Sequence, residues 1–109
     1  MTVLAEPAQA ARIAEVRGEA GTAEVSDSDN FNLSEQSTVT IGYTVTDRGS
    51  NCSVQVRLYR EQNGRWLVVN TVLDADASIR GSVNLTLPRG EYRIQVIAVE
   101  ASYHVTVDR

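Results

Sequence analysis

The chain has 109 residues and a formal net charge of −4, with 14 acidic and 10 basic side chains. This length is typical of one domain, and a hydrophobic content of 42% is enough for a buried core. The acidic balance argues against a nucleic-acid-binding protein, which ordinarily carries a basic patch. No apolar run is long enough to span a bilayer. Because Cys52 is the single cysteine, an internal disulfide is excluded. Every second residue after Cys52 is apolar, and a cysteine in the same alternation is predicted to be buried with them.

Residues 1–21 are predicted to form an N-terminal leader, either without fixed structure or with a short first strand, and the domain is assigned to residues 22–109. Within the leader, Ala8-Gln9-Ala10 has the small-residue spacing of a signal-peptide cleavage site, although no charged and apolar segments precede it. We therefore expect a secreted or periplasmic protein from which most of the signal segment is missing. The alternative is an ordinary alanine-rich start of a cytosolic protein.

Period-two alternation predicts strands along the rest of the chain. Apolar residues alternate with threonines over 38–46 and with longer polar side chains over 52–59, whereas 65–73 is apolar on both faces and leaves its register ambiguous. Asn63-Gly64, between these last two runs, is typical of a two-residue hairpin turn. The apolar residues that share the inward phase are predicted to form the core: Val39, Ile41, Val45, Val54, Val56, Leu58, Val83, Leu85, Ile94 and Val96.

Residues 82–99, SVNLTLPRGEYRIQVIAV, hold two alternating runs around a Pro-Arg-Gly break. Pro88 cannot continue a paired strand, and Gly90 can adopt a positive φ. The pattern predicts an antiparallel hairpin with its turn near Pro88 and Gly90. With about eight strands and regularly spaced turn signals, the chain is predicted to be all-β, an antiparallel sandwich or barrel.

Five segments then carry a resemblance, in this order: DSDNFNL at 27–33, STVTIGY at 37–43, VRLYREQNG at 56–64, LPRGEYRIQV at 87–96 and YHVTV at 103–107. Together they resemble the bacterial pre-peptidase C-terminal (PPC) domains that accompany secreted proteases. The resemblance implies a jelly-roll-like β-sandwich that acts as a non-catalytic accessory module. Some such domains bind calcium, polysaccharide or fibrous protein. The chain departs from the usual context because its 109 residues contain no protease domain.

A nucleophilic enzyme needs a nucleophile, a base and a group that orients the base. The one histidine, His104, lies in a predicted strand and is interpreted as a surface residue. The acidic residues cluster in predicted loops, where solvated side chains are the simplest interpretation. We therefore expect that the protein is not an enzyme.

Two sets of residues are candidates for binding. Closely spaced oxygen ligands suit Ca²⁺, and the acidic turn offers the candidate calcium ligands Asp27, Asp29, Asn30 and Glu24. Aromatic and polar side chains on an outer strand face suit a polymer ligand, and the candidates are Tyr59, Arg57, Arg93, Gln95 and Trp66.

The sequence thus predicts an accessory module that binds a polysaccharide or a protein partner, with calcium as the one candidate cofactor. The alternative is a structural or assembly domain that docks through a sheet face or edge. The sequence leaves the oligomeric state open.

Overall fold

A computed structural model describes residues 11–109, which form nine β-strands and no helix. The strands are β1 (Arg12–Ala20), β2 (Glu24–Asp27), β3 (Phe31–Leu33), β4 (Ser37–Asp47), β5 (Ser53–Gln62), β6 (Arg65–Ala75), β7 (Ile79–Leu87), β8 (Gly90–Val99) and β9 (Ala101–Asp108). They form two antiparallel sheets, a four-stranded one of order β1-β9-β4-β7 and a five-stranded one of order β2-β8-β5-β6, in which β3 also pairs with β8. The predicted jelly-roll-like β-sandwich is confirmed, and β1 is the strand beyond the expected eight.

Strand β1 lies in the segment that the sequence assigned to the leader. It pairs with β9, and its side chains Ala14, Val16 and Ala20 are buried in the core. The sandwich therefore begins within that segment, while Ala8-Gln9-Ala10 lies outside the described residues. Over residues 11–109 we find no helix with the length and apolar character needed to cross a bilayer.

The core lies between the two sheets. Of the ten predicted core residues, eight are buried, while Val83 and Leu85 are only half-buried. Both residues pack against the core but are less buried than predicted, because they belong to β7, an edge strand that pairs with β4 alone. Alternation tells which face of a strand is apolar, but not whether the strand lies at the centre of its sheet.

Strands β5 and β6 form the predicted hairpin. Asn63 has a φ of 54° and Gly64 a φ of 80°, as the two central positions of a primed turn require. The Gly64 N–H also donates to Glu61 Oε1 at 2.7 Å. The register of β6, which the sequence leaves ambiguous, is irregular in the structure. The β5–β6 ladder shifts between Val56 and Arg57 and again between Leu58 and Tyr59.

The hairpin predicted for residues 82–99 is wrong. Strand β7 pairs with β4 in one sheet, and β8 pairs with β5 in the other, so Pro88 and Arg89 connect the two sheets. Two alternating runs on either side of a short break fit such an arch as well as a hairpin, since both bury one face of each strand. The prediction of a positive φ at Gly90 is also wrong, because Gly64 is the only glycine with positive φ in the described chain.

Candidate functional site

The five candidate ligand residues lie together on the outer face of the five-stranded sheet. Tyr59 of β5 is paired with Arg93 of β8, and Arg57 is paired with Gln95. Trp66 of β6 is paired with Glu61, which lies two residues beyond Tyr59 and therefore on the same face. Directly paired residues in antiparallel strands share a face, so the register itself assembles this set.

The centre of this face is a cation held between two aromatic rings. The guanidinium carbon of Arg93 lies 4.5 Å from the Trp66 ring centroid and 5.8 Å from the Tyr59 ring centroid. Both distances are within the range of a cation–π contact. The Nε atom of Arg93 is the one buried side-chain nitrogen or oxygen without a hydrogen-bond partner in the described chain. The rings, rather than hydrogen bonds at Nε, therefore hold this side chain.

A chain of hydrogen bonds crosses three strands beside this cation. The Tyr59 hydroxyl donates to Gln95 Oε1 at 3.0 Å, and Gln95 Nε2 donates to Asp27 Oδ1 at 3.1 Å. Asp27 is paired with Gln95 between β2 and β8. The chain fixes the orientation of the Gln95 amide and places one predicted calcium ligand on the same face as the predicted polymer ligands.

The other candidate calcium ligands do not gather around Asp27. Glu24 lies three residues before it on β2, so the two carboxylates point to opposite sides of the sheet. The turn after Asp27 is instead fastened by Ser28, whose N–H donates to Ile94 O and whose Oγ accepts from the Ile94 N–H. In the described residues, no three His, Cys, Asp or Glu side chains come together as a metal-binding group. The geometry adds no support for calcium at Asp27, Asp29, Asn30 and Glu24, which stays a prediction.

His104 lies on the outer face of the four-stranded sheet in a network of charged side chains. Its Nε2 lies 2.6 Å from Glu15 Oε2, and its Nδ1 lies 3.3 Å from Arg17 Nη2. The hydrogen bond to His104 lowers the pKa of Glu15, with smaller contributions from the charges of His104, Arg12 and Arg17 and an opposing effect of desolvation. No hydroxyl or thiol is hydrogen-bonded to His104 within residues 11–109. These contacts of His104 are therefore surface hydrogen bonds to a carboxylate and a guanidinium, and not those of a base with its nucleophile.

An exposed apolar edge was missed by the sequence reasoning. Leu67, Val68 and Val69 of β6 are each 46% exposed, and β6 ends the five-stranded sheet. Val69 also lines a cleft of about 280 Å³ with Leu85 of β7. The sequence does contain a sign of this edge, since residues 65–73 are apolar on both faces of the strand. In the structure these residues belong to an irregular edge strand and not to a strand that is covered on both sides.

No family model and no curated protein sequence matches the chain, but solved structures do resemble it. The pre-peptidase C-terminal domain of a collagenase from Bacillus anthracis is similar over 87% of this chain and 88% of its own, with a TM-score of 0.52 and 15% identity. A cowpea mosaic virus top component covers 96% of this chain and 88% of its own, with a TM-score of 0.57 and 9% identity.

A third similar structure is the C-terminal CBM6 of LamC, a marine laminarinase from Zobellia galactanivorans. It covers 92% of this chain and 97% of its own, with a TM-score of 0.50 and 8% identity. At such identities the similarity concerns the fold, and it confirms the fold that the sequence resemblance implied.

Proposed function

We propose that this protein is a non-catalytic accessory module of a secreted bacterial protein that binds a polymer through the outer face of its five-stranded sheet. The observation that carries the proposal is the ordered row of Arg93, Tyr59 and Trp66, which crosses strands β8, β5 and β6. Side chains that contacts within the protein already hold in place lose little conformational entropy when a ligand binds.

The similar structures support this proposal at the level of the fold. One is a domain of a collagenase and another is a module of a laminarinase, so each belongs to a protein that is named for a catalytic activity. A binding role for this chain also agrees with the arrangement around His104, whose partners are charged groups rather than a nucleophile.

The test is a pull-down with insoluble polysaccharides and fibrous proteins, using the parent protein and Trp66→Ala. Loss of the ring removes both the aromatic surface and one support of Arg93, so we expect bound protein to fall by about tenfold or more. Arg80→Gln changes an exposed side chain on the other sheet and serves as the control. Retention of Trp66→Ala at the parent level would place binding elsewhere, and the absence of any bound polymer would reject the proposal.

A second function is favoured by the exposed apolar edge of β6. An edge strand with exposed leucine and valine side chains is suited to docking against another subunit. If the protein is an assembly domain, its mass in solution should rise with concentration. Leu67→Lys should then return it to a monomer, because a charged edge residue opposes strand pairing. A constant monomeric mass for the parent protein would reject this alternative.

A further inference from the structure

Strand β7 ends the four-stranded sheet, and no strand lies beside its outer edge among residues 11–109. It is nine residues long and pairs with β4 over its whole length without a register shift. From Ile79 to Leu87 it contains no proline, and Arg80, on the outer face, is its one charged side chain. A regular and nearly uncharged edge of this length is able to pair with another strand.

The other edge strands carry features that oppose such pairing. Strand β1 has four charged side chains and a register shift near its start. Strands β2 and β3 have only four and three residues, and the ladder of β6 is shifted twice. Short strands, charges and bulges all protect a sheet edge. Among the described strands, β7 is therefore the one whose backbone is open to a long regular pairing.

The side chains of β7 complement those of a second β7 in antiparallel orientation. A two-fold axis at Val83 pairs each of the nine residues with one that lies on the same face of the sheet. On the outer face, Arg80 then lies beside Thr86 of the second copy, so no like charges meet. On the inner face, Ile79 meets Leu87 of the second copy, and Val83 meets its own counterpart.

The connections at the two ends of β7 carry opposite charges. Asp76 precedes the strand by three residues, and Arg89 follows it by two. Both residues are exposed, and neither takes part in an ion pair within residues 11–109. Both connections lead to the five-stranded sheet, so they leave β7 on the same side. The two-fold axis therefore places each Asp76 near Arg89 of the second copy, where the two charges attract.

The exposed apolar residues of β6 lie beside this edge. Val69 of β6 and Leu85 of β7 line the same cleft, so both edge strands lie on one side of the sandwich. A two-fold axis at β7 therefore turns the two copies of β6 toward each other. Leu67 and Val69, each 46% exposed, are then partly screened from water, and burial of apolar area favours association.

We infer that two copies of this chain form a dimer by antiparallel pairing of β7 about a two-fold axis at Val83. The backbone of β7, the apolar residues of β6 and the charges of Asp76 and Arg89 all contribute to the contact. The inference rests on the second function, that of an assembly domain, and names its partner as another copy of the chain. In the dimer the two four-stranded sheets become one continuous sheet.

The symmetry of the dimer also fixes the direction in which the aromatic rows of the five-stranded sheets point. Paired residues lie on the same face, so the axis is perpendicular to the paired sheet. The two rows of Arg93, Tyr59 and Trp66 therefore point in one direction, away from the paired sheet. A polymer long enough to reach both rows binds the dimer more tightly than it binds one copy, without any new contact.

The experiment is analytical ultracentrifugation of the parent protein and its variants from about 5 to about 500 µM. We expect the mass of the parent to rise from that of one chain to that of two. Ser82→Lys should raise the dissociation constant of the dimer by about tenfold, because the two lysines become diagonal neighbours across the axis. Thr46→Lys is the control, since Thr46 is also exposed but belongs to β4, which is paired on both sides.

Exchange of the two end charges tests the register. Asp76→Arg and Arg89→Asp should each raise the dissociation constant by about tenfold, because each puts like charges together at both ends of the contact. The variant with both changes should return to within about threefold of the parent. A combined variant as weak as the single ones would overturn the register and the inference with it.

The outcomes separate the inference from the functions proposed above. If Leu67→Lys gives a monomer while Ser82→Lys dimerises as the parent does, assembly through β6 stands and pairing through β7 is overturned. Masses above that of two chains would show a contact that does not close, which contradicts a two-fold dimer. A parent that stays monomeric rejects both the inference and the assembly domain, while the pull-down tests polymer binding independently.

Discussion

The Tyr103 hydroxyl donates a hydrogen bond to Ser26 Oγ at 2.7 Å, which joins β9 of one sheet to β2 of the other. Tyr103 is itself buried, and its neighbour across the β1–β9 ladder is Gly18. A Cβ at Gly18 would lie 2.6 Å from the Tyr103 hydroxyl oxygen and 2.8 Å from its Cζ. Gly18 therefore belongs in the strand because its missing side chain makes room for the tyrosine.

Gly18→Ala should destabilise the protein, because the added methyl group forces the Tyr103 ring away from Ser26. We expect a cost of about 1–3 kcal/mol in the free energy of unfolding, measured by denaturant titration. Gly21→Ala is the matched control, since a Cβ there meets nothing within 4 Å. Equal midpoints for the two variants would show that the tyrosine ring shifts without cost.

Cys52 should react slowly with a thiol reagent in the native protein. Its side chain is buried, and burial is the main cause that raises its pKa, followed by the charges of Asp47, Asp76 and Glu100. The thiolate is the reactive form, so both effects slow labelling. The control is Cys52→Ala with Ser53→Cys, which moves the thiol to an exposed neighbour. Labelling of the parent within minutes, at the rate of the control, would contradict the burial of Cys52.

Gly64 and Gly90 should respond differently to alanine. Gly64 has a φ of 80° and open space around it, so alanine there is opposed by backbone strain alone. We expect Gly64→Ala to cost about 1 kcal/mol in the free energy of unfolding. Gly90 has no positive φ, and a Cβ would meet only the flexible Arg60 side chain, 2.9 Å from Nε. Thermal melting that ranks Gly90→Ala as the more damaging change would argue against these backbone assignments.

Glu15 should contribute to stability at neutral pH and lose that contribution in acid. Its pKa is lowered in the folded protein, chiefly by the hydrogen bond from His104. A carboxyl group whose pKa is lower in the folded protein than in the unfolded chain stabilises the fold at any pH above the unfolded pKa, which is roughly 4.3 for a glutamate. This stabilisation is lost as the pH falls through the folded pKa. Glu15→Gln should therefore melt below the parent at about pH 6, and the two melting temperatures should approach each other as the pH falls from roughly 4.3 through the folded pKa. A difference that persists unchanged into acid would exclude the carboxylate as its source.

Calcium binding at Asp27 and Asp29 stays a prediction that melting experiments can test. A ligand that binds only the native state stabilises it by about 2.7 kcal/mol at a hundred times its dissociation constant. For a domain of this size each kcal/mol raises the melting temperature by roughly 4–8 °C. We expect about 10 mM calcium to raise it by a few degrees relative to chelator, and magnesium to do less. Asp27→Asn with Asp29→Asn is the control, and a response equal to that of the parent would reject the site.

The sequence by itself determined which side faces the core in the strands whose apolar and polar residues alternate regularly. Alternation placed Val39, Ile41 and Val56 correctly, because burial on one face of a strand leaves a period-two pattern in the chain. The Asn63-Gly64 turn was equally predictable, since positive φ at two adjacent positions restricts the residues that fit. Both are local properties, set by the geometry of a few consecutive residues.

The tertiary structure alone decided which strands are partners and what their pairing brings together. The runs before and after Pro88 look like two halves of a hairpin, yet they belong to different sheets, because the choice of partner depends on strands distant in the chain. Gly18 lies inside β1, where a Cβ would meet the Tyr103 ring, and this contact joins residues far apart in the chain. Arg93, Tyr59 and Trp66 come from three strands, and only the register between those strands places one guanidinium over two rings. Long-range pairing of this kind leaves no periodic signal in a single sequence.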